Sequence, residues 1–342
     1  MASIRKRRGT FSVVYTYENE NGEKKQRWET FKTYAEAHKR RAEIEYKQTE
    51  GTFLPPNKQT VADVLKDYVA LYGEKTWSYS TFNSNCSMIA NYIVPIIGNK
   101  EMKEITPREA DKYIKTLQKT QPVEVGGRRR QTEYMTPANI ERVIKLLRSA
   151  FKQAVRWEVI ARNPFDFVTL PKVEKKSREI WTAETIRKAL DNCKDAKLFV
   201  AMNLAFACSL RVGEILGLTW NNVSISDEDI AKDNASVYVD KELFRASKDV
   251  MDTLGNRDIR FVFPPVMSNP KTRLILKTPK TATSVRRVWL PKTLAYILRE
   301  WRIPSKSKKS FSGMSISTMT LLSRTTTGVP VTAKISKKAS TD

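Results

Sequence analysis

Two short segments of the chain carry residue types that together can handle phosphate. The first is Ser209-Leu-Arg-Val-Gly-Glu-Ile-Leu-Gly-Leu-Thr-Trp220. Its spacing predicts a short helix opening at Ser209 or Leu210, with Ile215, Leu216, Leu218 and Trp220 packed inward. Arg211 then stands at a helix N-terminus, where unpaired backbone N–H groups and the dipole favour an anion. Its planar guanidinium can grip two oxygens of a phosphodiester at once. Glu214, three residues on, either orients that guanidinium or bonds back to the helix cap. Read alone, the segment is equally a surface Arg–Glu pair beside an apolar helix. The second segment is Pro279-Lys-Thr-Ala-Thr-Ser-Val-Arg-Arg-Val-Trp-Leu-Pro291. It reads as a turn leading into a strand, with Lys280 near the turn and Ser284 and Arg286 following on the strand. By itself it reads rather as a solvated hairpin tip, where lysines usually stand.

Other chemistries are poorly provided for. His38 is the one histidine, which argues against a His-based metal site or a Ser-His-Asp arrangement. Cys86, Cys193 and Cys208 are scattered, without the spacing of a zinc site, and odd in number. That usage fits a reducing cytoplasm rather than a disulfide framework. Lysine and arginine number 61 against 37 acids, a net charge of +24. An excess this large concentrates a polyanion and drives counterion release from a phosphate backbone, so nucleic acid is the expected partner class. No stretch approaches the ~18–20 apolar residues of a membrane span. The N-terminal Arg5-Lys-Arg-Arg8 cluster lacks the apolar run of a secretory signal.

The elements that must position these residues fall into blocks, as 342 residues exceed one ordinary domain. Residues 1–58 alternate as strands at Ser3–Arg7, Thr10–Tyr17 and Lys24–Phe31, with a turn at residues 18–22 and a helix at Tyr34–Tyr46. Gly51–Lys58, with Pro55-Pro56, reads as a linker. Residues 59–172 turn helical. Thr60 with Asp63 opens Val61–Tyr72, and Ser80–Ile93 should end near Pro95. Thr106-Pro107 and Thr136-Pro137 cap Pro107–Gln118 and Pro137–Ile160. A basic loop, Gly126-Gly-Arg-Arg-Arg130, lies between them, and Asn163-Pro164 leads out to a charged linker at Pro171–Arg178. Residues 173–303 mix helix and strand. Thr182 caps a helix, and Leu198–Ala207 is apolar enough to be buried on most sides. Strands are expected at Val237–Asp240, Arg257–Phe263, Arg273–Lys277 and Arg286–Leu290, then a helix at Thr293–Trp301. In residues 304–342 sixteen of the 39 are Ser or Thr and apolar periodicity fades, which reads as a disordered tail.

Taken together, the two phosphate-handling segments resemble the tyrosine recombinases, specifically the integrases of phages and conjugative elements. Ser209–Trp220 follows the pattern (G/S)-L-R-x-x-E-(I/L)-x-x-L-x-W that holds the family's first catalytic arginine. Lys280–Leu290 follows K-T-x-x-S-x-R-x-(I/V)-x-L, which holds its lysine. The resemblance runs from residue 1 to about 303. It implies a multidomain fold: residues 1–58 as a three-stranded sheet plus helix that binds arm-type DNA, 59–172 as an all-α core-binding bundle, and 173–303 as an incomplete α+β catalytic domain. It implies site-specific recombination and integration of a mobile element, in which a tyrosine attacks a phosphodiester without metal or cofactor. Arg211 would be the first arginine, Lys280 the acid for the departing oxygen, and Glu214, Ser284 and Arg286 their support. Arg5, Lys6, Arg7, Arg8, Arg128, Arg129 and Arg130 would meet DNA. Implied partners are double-stranded attachment-site DNA, an excisionase, a host DNA-bending protein and further copies of the chain on DNA, in a bacterial cytoplasm and away from membranes.

Part of the family pattern is missing. No histidine follows His38 and no tyrosine follows Tyr296, so neither an H-x-L-R-H-T-type motif nor a nucleophile is found. Tyr296, with Leu294, Ile297 and Leu298 around it, reads as a core or boundary residue. Arg324 stands in too poor a setting to be the second arginine. The change at Pro304 leads to the expectation that a frameshift or truncation replaced the end of the domain. That idea fails if no other reading frame holds an H-x-x-R motif followed by a tyrosine. A non-catalytic DNA-binding protein that occupies integrase sites is the alternative.

Overall fold

In the computed structural model the described residues are 2–7, 9–18, 23–50, 53, 59–124, 132–173, 177, 179–265 and 271–302. Arg8, Arg128, Arg129, Arg130, Arg324, most of Gly51–Lys58 and the tail from residue 303 lie outside them. Two compact units emerge, Met1–Gly73 with Asn85–Glu174, and Glu74–Ser84 with Lys175–Asp342. No described helix is long and apolar enough to cross a membrane.

The first unit begins with an antiparallel sheet in the order β1 (Ala2–Arg7), β2 (Thr10–Glu18), β3 (Lys24–Phe31). Helix α1 (Tyr34–Thr49) follows, opened by a reciprocal cap between Thr33 and Glu36. Strand alternation sends Ala2, Val13 and Tyr15 to the face that α1 covers with Ala37 and Ile44. Tyr15 donates to Glu29 at 2.6 Å, and Arg40 from α1 donates to the same carboxylate at 2.8 Å.

The bundle follows with α2 (Val61–Tyr68). Thr60 and Asp63 cap it reciprocally, at 3.2 and 3.0 Å. A π-turn at Val69–Gly73 comes next, so the α-helical part stops at Tyr68 rather than Tyr72. Then come α3 (Glu74–Thr76), α4 (Tyr79–Met88), a second π-turn at Ile89–Ile93, and α5 (Val94–Ile97). The expected stop near Pro95 is thus a correction: the helix passes through it. Widening to the i→i+5 pattern, in which Val94 N–H reaches Ile89 O, loosens the turn just before the proline. Helices α6 (Pro107–Gln118) and α7 (Pro137–Arg156) carry Thr–Pro caps, with Thr106 accepting from Glu109 N at 3.3 Å and Thr136 from Asn139 N at 3.4 Å. The α7 helix ends at Arg156, short of Ile160, and Glu158 turns left-handed at φ 59. Its apolar stripe, including Ile140, Ile144, Leu147 and Phe151, packs on α2 and α6. Buried Asn163 closes this unit: its amide donates to Arg148 O at 3.1 Å and its Oδ1 accepts from Phe165 N at 3.0 Å.

The second unit contains α8 (Ala183–Asp191), α9 (Ala196–Cys208), α10 (Val212–Gly217), β4 (Val223–Ser224), α11 (Asp227–Ala231), β5 (Ser236–Val239), β6 (Glu242–Ser247), α12 (Lys248–Thr253), β7 (Ile259–Val262), β8 (Thr272–Lys277), β9 (Arg286–Trp289) and α13 (Lys292–Arg302). Two antiparallel three-stranded sheets form, β4-β5-β9 and β6-β8-β7. One core joins Leu204, Leu210, Ile215, Trp220, Val237, Val239, Leu290 and Leu298, and a smaller one joins Leu243, Phe263, Leu274 and Leu276. Two expectations change here. Helix α9 buries only Val200, Leu204 and Cys208, and Phe206 is 42% exposed, because among the described residues neighbours cover one stripe alone. Strands β8 and β9 do not pair: β8 lies between β6 and β7, while β9 pairs with β5. The Lys280 turn therefore bridges two sheets and is no hairpin tip.

The segment Glu74–Ser84 is fastened within this unit by one arginine. Arg257 donates to the carbonyls of Glu74 and Lys75 at 2.6 and 2.7 Å, and also to that of Trp77. Tyr79 returns its hydroxyl to Arg257 O at 2.8 Å. The donor fork of arginine suits the unpaired carbonyls at a helix end.

Candidate phosphate-binding site

The first phosphate-handling segment folds around a reversal between two helices. Helix α9 ends at Ser209, a left-handed residue at φ 51. Leu210 is buried in the main core, and Arg211 becomes the N-cap of α10, two residues later than the expected start. Helix α10 lies against β6. At Gly217 an added Cβ would sit 2.7 Å from Leu243 N, so only glycine permits this approach. The same helix turn aims Glu214 inward, and its side chain is 1% exposed.

A carboxylate this buried must be compensated, and four donors meet it. Arg211 supplies its backbone N–H to Oε2 at 3.0 Å and Nη1 to Oε1 at 2.9 Å. Both roles open to Glu214 from the sequence, cap and guanidinium partner, are thus filled together. The other two donors come from β9, where Arg286 forks onto the carboxylate, Nη1 to Oε1 at 3.1 Å and Nη2 to Oε2 at 2.9 Å. Burial pushes the Glu214 carboxyl up, but the hydrogen bonds from Arg286 and Arg211 outweigh it and hold the group below its usual range. The Glu214 bond in turn raises the Arg286 guanidinium. Two guanidinium groups against one carboxylate leave a surplus positive charge. Arg211 carries the accessible share of it, with its side chain 69% exposed.

Lys280 stands exposed on the turn between β8 and β9, with no hydrogen-bond or ion-pair partner among the described residues. Ser284 belongs to a 3-10 turn over Ala282–Ser284 and not to the strand, a further correction. Its hydroxyl meets that of Thr281 at 2.8 Å, and its carbonyl accepts from Arg286 Nη1 at 3.0 Å. The base of the turn is tied by Thr278, whose N–H donates to Asp258 O at 2.9 Å and whose Oγ1 accepts from Arg260 at 3.3 Å. Arg211, Glu214, Arg286 and the Ser284 carbonyl therefore form one connected group, to which Lys280 makes no bond. Tyr296 lies at the surface of α13, 44% exposed, with Arg299 4.9 Å from its ring centroid, so the core reading of this tyrosine is dropped.

The basic cluster at the N-terminus divides by strand parity. Arg5 and Arg7 fall on the sheet face that α1 leaves open, while Lys6 shares parity with Ala2 and Ile4 on the helix side, its ammonium 5.8 Å from the Phe11 ring centroid. Trp28 joins the open face, 45% exposed and 5.2 Å from the Arg5 guanidinium. Sequence reading passed over Trp28, although its register opposite Val14 puts it on the same face as Arg5. It likewise passed over Gly217, whose need for glycine depends on a strand 26 residues away.

Comparison with known proteins fits this geometry. Residues 60–118 match the family described as phage integrase, N-terminal SAM-like domain. The ICEBs1 integrase of Bacillus subtilis (strain 168) is 25% identical over 217 residues, covering 63% of this chain and 47% of that protein. A XerC-like tyrosine recombinase of Caldanaerobacter subterraneus subsp. tengcongensis is 28% identical over 180 residues, covering 51% of this chain and 40% of its own length. The alignments thus span about half the length of these curated relatives. Among solved structures, a fragment of the Tn1549 transposon integrase in complex with transposon right end DNA superimposes with a TM-score of 0.59 at 16% identity, over 82% of this chain and 78% of that one. That likeness concerns fold alone. Over these spans, then, the chain is similar to tyrosine recombinases and carries a segment similar to the SAM-like domain of phage integrases.

Proposed function

We propose that this chain binds the DNA of a mobile element as its relatives' names indicate, and that it grips a phosphodiester without completing strand cleavage. The domain assignment follows the sequence boundaries: residues 1–58 as the arm-DNA module, 59–172 as the core-DNA bundle, and 173–303 as the phosphate-handling part. Double-stranded DNA is the substrate class, and several copies of the chain assemble on it. The Arg211–Glu214–Arg286 group carries the reading, because a guanidinium anchored on a buried carboxylate and presented to solvent is suited to a phosphate oxygen. On the first module, Arg5 and Arg7 with Trp28 face a groove, arginine for phosphate or base edges and tryptophan for sugar or base contact.

Strand cleavage would need a second transition-state arginine, a histidine and a nucleophilic tyrosine. These 342 residues hold one histidine, His38, on α1, and their last tyrosine is Tyr296. Electrostatic clamping of a phosphodiester is the chemistry that Arg211, Glu214 and Arg286 support. The assay is binding of the full chain to duplex DNA against salt. The affinity should fall steeply as salt rises, with a slope that drops by about one for each phosphate-contacting arginine removed. A flat salt dependence would sink the DNA-binding reading.

A further inference from the structure

We propose that Arg286 is a positioning residue: from β9 it holds the Glu214 carboxylate in a two-pronged grip and so fixes where Arg211 presents its guanidinium to a DNA phosphate. The inference deepens the reading above and rests on Arg211 being a phosphate ligand. Its basis is the asymmetry of the group. Arg211 is largely exposed and meets Glu214 through one side-chain nitrogen, so its Nε and Nη2 stay available to a ligand. Arg286 spends both Nη atoms on Glu214 and a further Nη1 hydrogen on Ser284 O, and its side chain is 30% exposed. One guanidinium is held so that the other can work.

Charge counting gives the arrangement a second consequence. A carboxylate facing Arg211 alone would cancel the charge that a phosphate needs to see. The second guanidinium restores a net positive group while keeping the buried carboxylate ionised. The neighbours do not disturb that count. From β6 and β8, Glu242 and Lys277 pair with each other, and α9 carries no charged residue after Lys197. Arg286 therefore acts on DNA only through Glu214 and Arg211. It also lies one register step from the solvent-facing Arg287, which serves as a control on the same strand.

A double-mutant cycle tests this with the full chain and a duplex of about 30 base pairs of arbitrary sequence, read by fluorescence anisotropy. Near about 0.1 M salt, Arg211→Met should weaken binding about fivefold to tenfold, the value of one lost phosphate contact. Arg286→Met should cost about as much, and the double variant no more than either. Arg286→Lys, which keeps charge without the fork, should recover part of the loss. It also serves as the reading if the Met variant fails to fold. As pH falls, the Arg286→Met variant should gain affinity at a higher pH than the native protein does, because a Glu214 without the Arg286 grip takes up a proton more readily and stops cancelling Arg211. At that pH the native protein should show no such rise, and Arg211→Met should abolish it in the double variant. Losses that multiply in the double variant, or an Arg286→Lys protein indistinguishable from native, would overturn the positioning role. An Arg211→Met protein that binds as well as native would overturn the phosphate reading itself.

Discussion

The two cationic regions use arginine in opposite ways. On the open face of the N-terminal sheet, Arg5 and Arg7 project from adjacent same-face positions of β1, and the neighbour of Arg5 is an indole ring rather than an acid. In the second unit, Arg211 and Arg286 converge on one buried carboxylate, 72 residues apart in sequence for the Arg286 pair. The first arrangement supplies charge that each residue contributes separately. The second supplies geometry, and its parts fail together. Identical side chains therefore predict different mutational behaviour, additive on the sheet and coupled at the site.

Removing the shared carboxylate is the largest perturbation that sharpens this contrast. Glu214→Ala leaves two guanidinium groups without their partner and empties a packed position. It should lower the stability of the second unit by about 2–4 kcal/mol, measured by chemical denaturation. Its ionisation also sets a pH limit. The folded carboxyl titrates below its unfolded counterpart, so its stabilisation is complete above the unfolded value near ~4.3 and is lost as pH falls through the folded one. Acid unfolding of the native protein should therefore deepen below about pH 4, and less so for Glu214→Gln. Next in size is Gly217→Ala. The new methyl meets backbone on β6, so α10 must lift, at a cost of about 1–3 kcal/mol by thermal unfolding. Arg5→Ala and Arg7→Ala should leave stability unchanged and each weaken duplex binding by about fivefold, with losses that multiply in the double variant. If those losses prove coupled, the proposed contrast collapses. The smallest effect belongs to Trp28→Ala, which frees Arg5 from the ring and should cost about two- to threefold in affinity.

Much of this was legible in the sequence, and what was not has identifiable causes. Thr60, Thr106 and Thr136 marked three helix starts because capping is decided by residues three apart. The Arg211–Glu214 bond was open to the same reasoning, being an i, i+3 pair at a helix start. The grip of Arg286 on Glu214 was not, because strand register decides it. Val239 stands opposite Arg286, and only the folded sheet brings that strand to α10. Strand β6 was missed since Leu243 and Phe244 sit side by side and blur the alternation, although α10 rests on it. The two π-turns carry no residue signature, so Pro95 misled. In α9 apolar composition was read as burial, while burial depends on which neighbours arrive. The family resemblance came from two motifs, and relatives in the first unit and beyond agree with it.

Strand cleavage is the step that separates gripping a phosphodiester, as proposed, from cutting it. A duplex nicked beside the expected cleavage position traps any covalent intermediate, because the short cleaved strand diffuses away. Incubated with the full chain and then denatured, such a duplex should yield no protein-linked DNA under conditions where anisotropy shows it bound. A denaturation-resistant adduct that disappears in Tyr296→Phe, or in a variant of any other tyrosine, would contradict the proposal and give the chain a nucleophile.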